Sequence, residues 1–108
     1  MWSPKLIPAL IEWVWAADTL TVRMTFTPTM NDGLEPAEGD FVLKHGGTTL
    51  PVTSVTWETN KIVALEAALV GAPALPIGLK FTTPSANFIS AAGQWVAKFE
   101  DQNVPETP

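Results

Sequence analysis

The stretch Leu20-Thr21-Val22-Arg23-Met24-Thr25-Phe26-Thr27 alternates apolar and polar residues without a break. Successive side chains of a β-strand point to opposite faces, so Leu20, Val22, Met24 and Phe26 enter one core while Thr21, Arg23, Thr25 and Thr27 face water. A sheet with one wet face needs a second layer over the other. The flanking sequence supplies strands for it, because ten prolines and seven glycines cut the chain into short apolar runs, the punctuation of a sandwich or barrel.

Upstream, Asp18 turns the chain out of a first strand region, Leu6 to Trp15, bent at Pro8 where no ladder hydrogen bond can be donated. Downstream lies a loop from Pro28 to Asp40 rich in turn formers and acids. Phe41 to Lys44 and Thr49 to Trp57 read as strands joined through His45-Gly46-Gly47-Thr48, whose glycines accept the positive φ of a tight turn. Ile62 to Leu65, Leu75 to Thr82 and Trp95 to Phe99 complete the set, and Leu65 to Val70 is the one segment with a helical pattern, too short to stand alone. The expected core includes Val22, Met24, Phe26, Phe41, Val55, Trp57, Leu65, Leu79 and Phe81. The expected architecture is an all-β, immunoglobulin-like antiparallel β-sandwich over residues 9–100, with an N-terminal arm (1–8) and a C-terminal arm (101–108).

A chain of 108 residues has room for one modest core. Charged residues make up 16% of it, fewer than the roughly 25% of an ordinary soluble domain, so part of the surface is expected to be covered. The net charge of −5, with no two of the six cations adjacent, argues against nucleic acid as a partner. The absence of cysteine removes disulfides, thiol chemistry and cysteine-based zinc sites. Met1-Trp2-Ser3-Pro4-Lys5 lacks the layout of a secretory signal, and no run approaches the ~18 uncharged apolar residues of a membrane helix, so synthesis in the cytoplasm with no membrane partner is expected.

Chemical readings of the polar residues are weaker than their plain alternatives. Asp32, Glu35, Glu38 and Asp40 crowd one loop, but they lack the alternating ligand spacing of a calcium loop and Pro36 stiffens its middle. His45, the only histidine, sits in a predicted turn rather than beside a nucleophile and an acid. Nothing pairs two of Glu12, Glu58, Glu66 and Glu100 as glycosidase carboxylates. The expectation is therefore a protein without catalysis, cofactor or metal.

The five tryptophans carry more information. Trp57 ends an alternating strand and reads as core. Trp13 and Trp15 share a face with Ile11 while Leu10 and Val14 occupy the other, so the first strand is apolar on both sides apart from Glu12. The first strand of a small sandwich lies near an edge with one face normally wet. Either a terminal arm covers it or another protein does. Trp2, Ile11, Trp13 and Trp15 are accordingly the candidate interface residues, and stacking of a glycan on an exposed tryptophan pair is the alternative use.

The order of motifs resembles the bacterial immunoglobulin-like repeats of the SwmB type. The resemblance is carried by Asp18-Thr19-Leu20-Thr21-Val22, Phe26-Thr27-Pro28, Asp40-Phe41-Val42-Leu43, Val52 to Trp57, Val63-Ala64-Leu65, Gly78 to Pro84 and Phe88 to Gln94. It departs from the family pattern at Phe81, Ala91 and Gln94. The resemblance implies an immunoglobulin-like fold and a role in large surface proteins built of tandem repeats. A single copy behind its own Met1 points instead to a non-catalytic subunit of a bacteriophage virion that decorates or cements the capsid. Its expected partners are other virion proteins or copies of itself, with a surface adhesin module or a carbohydrate-binding module as alternatives.

Overall fold

The computed structural model describes residues 5–101 and 103–108. Its strands are β1 (Leu10–Ala16), β2 (Thr19–Thr25), β3 (Phe41–His45), β4 (Thr48–Leu50), β5 (Ser54–Thr59), β6 (Ile62–Ala68), β7 (Ile77–Phe81) and β8 (Phe99–Asp101), with one 3-10 turn at Glu38–Asp40. They form two four-stranded antiparallel sheets, β1-β2-β6-β5 and β4-β3-β7-β8. That is the strand order of an immunoglobulin-type sandwich, as expected from the sequence. Among the described residues no helix is long and apolar enough to cross a membrane.

Register explains the alternation. Val22 lies between Trp13 and Leu65, and Met24 between Ile11 and Val63, so the inward rows of the first sheet are apolar across its neighbouring strands. Leu20, Val22, Met24 and Phe26 are buried. Thr21, expected to face water, keeps only 9% of its accessible surface, flanked in register by Val14 and Glu66. The two sheets meet on an aromatic cluster centred on Phe88, whose ring stands edge-on to Phe26 at 5.5 Å and to Phe81 at 5.2 Å, the geometry the ring quadrupoles favour.

Besides a later start of β1 at Leu10 and of β7 at Ile77, three boundaries differ from the sequence reading. The run from Thr49 to Trp57 is two strands in different sheets, because Pro51 lies in the break between them and the chain crosses over before Ser54. The segment with a helical pattern is strand as far as Ala68 and loop at Leu69 and Val70, since β6 runs unbroken from Ile62 to Ala68 with Val63, Leu65 and Ala67 inward. Trp95 and Val96 make only isolated bridges, so the last strand starts at Phe99.

The arms close one side of the sandwich. Leu6 pairs in parallel with Val96, its N–H donating to the Trp95 carbonyl (3.2 Å) and its carbonyl accepting from Ala97 (2.8 Å). The chain then bends at Ala9 and enters β1. The C-terminal arm runs parallel to the free edge of β1. The Trp13 N–H donates to the Pro105 carbonyl (2.9 Å) and the Trp13 carbonyl accepts from Thr107 (2.8 Å). Val104 plugs into the core with 4% of its surface exposed.

Candidate functional site: an apolar pole

From Ala67 to Leu79 the chain contains no polar side chain. Ala67, Ile77 and Leu79 at the strand ends belong to the core, but the loop between β6 and β7 is held out at one end of the sandwich. Val70 is 87% exposed and Leu75 69%. The loop is anchored at both ends. Its Leu69 N–H donates to the Asp18 carbonyl (3.0 Å), and the Leu69 carbonyl accepts the indole N–H of Trp15 (2.9 Å). The Ala74 N–H donates to Nδ1 of His45 (3.1 Å), and the Gly46 N–H donates to the Pro76 carbonyl (3.0 Å). The Leu75–Pro76 peptide is cis.

Gly46 is required here twice over. Its φ is +55°, and a Cβ built on it would lie 2.6 Å from the Ala74 Cβ, closer than any real contact. The β3–β4 hairpin therefore packs directly under the loop. The β1–β2 hairpin, turning through Ala17 and Asp18 at φ 52° and 58°, adds two alanines, Ala16 and Ala17, to the same end. Beside the loop runs a shallow groove of about 410 Å³, lined by Leu75, Pro76 and Ile77 together with Trp13, Val104 and Pro105, and by the polar Asn103 and Glu106. Ridge and groove meet at Leu75 and Pro76, and the lining is apolar apart from Asn103 and Glu106.

The opposite pole has different chemistry. Asp32, Glu35, Glu38 and Asp40 lie there in the β2–β3 loop, tied to the β5–β6 turn by Met30 N–H to the Asn60 carbonyl (2.7 Å) and to the β7–β8 segment by Asn31 N–H to the Ile89 carbonyl (3.0 Å). The Asp40 carboxylate accepts the Ala37 N–H (3.3 Å), and the Asn31 side chain accepts from Gly33 (3.1 Å), so these polar groups order the loop locally. No cluster of three or more metal-ligating side chains occurs among the described residues.

The sequence-derived interface residues fall in two classes. Trp2 lies outside the described residues. Ile11, Trp13 and Trp15 are brought together on the inner face of β1, where Trp13 retains 7% of its surface and Ile11 and Trp15 pack half-buried against the core. Trp13 is thus not an exposed anchor; the protein's own C-terminal arm pairs with the free edge of β1, while on the outer face of that strand Leu10 stays 45% exposed and Val14 half-buried. Nor do Trp13 and Trp15 form an open platform for a sugar ring, since both face inward. Trp15 instead positions the apolar loop through its indole N–H. The exposed members of the apolar surface, Val70 and Leu75, were not singled out from sequence, although the thirteen-residue run without a polar side chain was the available signal.

His45 serves the loop as an acceptor rather than standing in a catalytic pair. Arg23 and Glu58 form a bidentate ion pair, Nε to Oε1 at 2.7 Å and Nη2 to Oε2 at 3.0 Å, across the outer face of the first sheet. That hydrogen bonding raises the guanidinium pKa above its ordinary value, partial burial opposes it, and the charges of Glu58 and Glu66 add to the rise.

Comparison of the sequence with protein-family models and with curated proteins finds no match.

Proposed function

We propose that the protein is a non-catalytic structural subunit that attaches end-on to an assembly through its apolar pole, with a bacteriophage virion as the setting and the capsid surface as the site of attachment. The observation that carries this reading is the uncharged loop from Leu69 to Pro76, with Val70 and Leu75 held out to solvent by hydrogen bonds from three other parts of the chain. Contiguous exposed apolar surface marks contact sites more often than chance, and a rigidly supported loop loses little entropy on docking. The molecule is 43 Å long and 23 Å across. End-on attachment would hold the acidic loop away from the partner, as a hydrated outer tip. The virion setting rests on the analogy drawn from the sequence, since a fold does not fix a function.

The test is binding to virus particles from which the protein has been stripped. Val70→Asp and Leu75→Asp should each weaken binding roughly 30-fold, the equivalent of about 2 kcal/mol for one buried aliphatic side chain. Glu35→Lys, at the other pole, should leave it unchanged. Equal binding by all four proteins refutes attachment through this pole.

A further inference from the structure

The outer faces of the two sheets carry opposite charge. On the first sheet, Glu12, Glu58 and Glu66 surround Arg23, and the Arg23–Glu58 pair leaves this face two negative charges in excess. On the second, Lys44, Lys80 and Lys98 surround Glu100, and the Lys80–Glu100 pair at 3.8 Å leaves two positive charges in excess among the described side chains. Three of the six cations of a chain with net charge −5 thus lie on one face. The placement follows from strand alternation: Lys44 pairs with Gly78, and Lys80 pairs with Val42 on one side and Glu100 on the other.

Small residues lie among the charges on both faces. Arg23 and Thr56 flank Ala64 in the middle of the first sheet, and Thr21 lies beside Glu66 in the next row. Val42 and Gly78 hold the middle of the second. The small residues lie beside the Arg23–Glu58 pair on one face and beside Lys44 and Lys80 on the other, so the charged side chains are what a facing sheet meets first.

The geometry points to side-by-side association of copies of this chain, the positive face of one against the negative face of the next. The faces lie back to back on one molecule, so each contact leaves a complementary face at either end and the association propagates as a row or ring. At ~4.8 Å between strands and ~3.3 Å per residue the first face measures roughly 430 Å², but β4, β3, β7 and β8, with three, five, five and three residues, give the second only about 250 Å². A contact limited by the smaller face buries about 500 Å² over both partners, well below the ~1,200 Å² of a stable complex, so association is weak in free solution and sensitive to salt. Copies held side by side on a surface gain effective concentration, and there the contact would be populated. That setting rests on the end-on reading, whereas the contact itself does not.

The experiment is sedimentation velocity of the full chain over a concentration series at about 20 mM and about 500 mM salt, where the screening length differs several-fold. Wild type should gain mass with concentration at low salt and stay monomeric at high salt. Lys44→Glu combined with Lys80→Glu makes both faces negative, and Glu12→Lys combined with Glu66→Lys makes the first face positive like the second. Each double variant alone should be monomeric, and an equimolar mixture should associate. The milder Lys44→Gln and Glu66→Gln, which disturb folding least, should each weaken self-association about fivefold, the scale of one exposed ion pair. Leu75→Asp should self-associate like wild type, which separates this contact from attachment through the pole. A wild type that is monomeric throughout, association that persists at high salt, or a charge-swapped mixture that stays monomeric overturns the proposal.

Discussion

Phe88 touches four other aromatic rings, Phe26, Phe41, Trp57 and Phe81, at centroid distances from 5.2 to 6.0 Å. It lies outside the named strands, in a segment without periodicity, so alternation could not assign it to the core. Phe88→Ala should cost about 3–5 kcal/mol in a denaturant titration, the usual loss for a fully buried aromatic side chain. Arg23→Ala should cost less than about 1 kcal/mol despite its bidentate geometry, because the side chains of the pair are 39% and 37% exposed and solvent screens them. A raised arginine pKa gives stability that is complete below the unfolded value and is lost only as pH rises through the folded one. Titration of Arg23 therefore adds no pH dependence near neutrality. Ala17 sits at φ 52°, a conformation that penalises a Cβ. Ala17→Asn should raise stability by roughly 0.5–1 kcal/mol, read as a higher denaturation midpoint, since asparagine tolerates this region.

At the scale of elements, β2 was legible because one of its faces is polar and its period is therefore visible. β1 was legible as a strand but not in what pairs with its free edge: a strand's own sequence does not say whether its edge partner is local, distant or foreign. The partner is Val104 to Thr107, about ninety residues away in the chain, a pairing no local pattern encodes. Removing residues 104–108 takes away the Val104 plug and three backbone hydrogen bonds. Net of the entropy of ordering the arm, this should cost roughly 2 kcal/mol. The uncovered edge of β1 should also make the truncated protein aggregate during heating, measured by light scattering. Unchanged stability and scattering would show that the arm does not protect the edge of β1. The split between β4 and β5 was hidden for a different reason: alternation on both sides of Pro51 reads as one strand when nothing local reports a change of sheet.

At the scale of the whole molecule, the sandwich separates two chemically distinct ends, one carrying the acidic β2–β3 loop and the other the apolar β6–β7 loop. Neither pole was legible as a pole, because each gathers loops far apart in sequence. The apolar end combines the β1–β2 turn, the β3–β4 turn and the β6–β7 loop, and only the last shows its character in the sequence. End-on attachment also gives a use to the opposite charges of the two lateral faces, which would adjoin when copies stand on a common surface. The measurement that tests this account most directly is electron cryomicroscopy of the intact virus particle, at a resolution that orients the sandwich. The account predicts density for the protein on the capsid exterior, with Val70 and Leu75 at the capsid and the loop of Asp32 to Asp40 pointing outward. Particles that lack the protein, or that hold it with the apolar pole free in solvent, would contradict it.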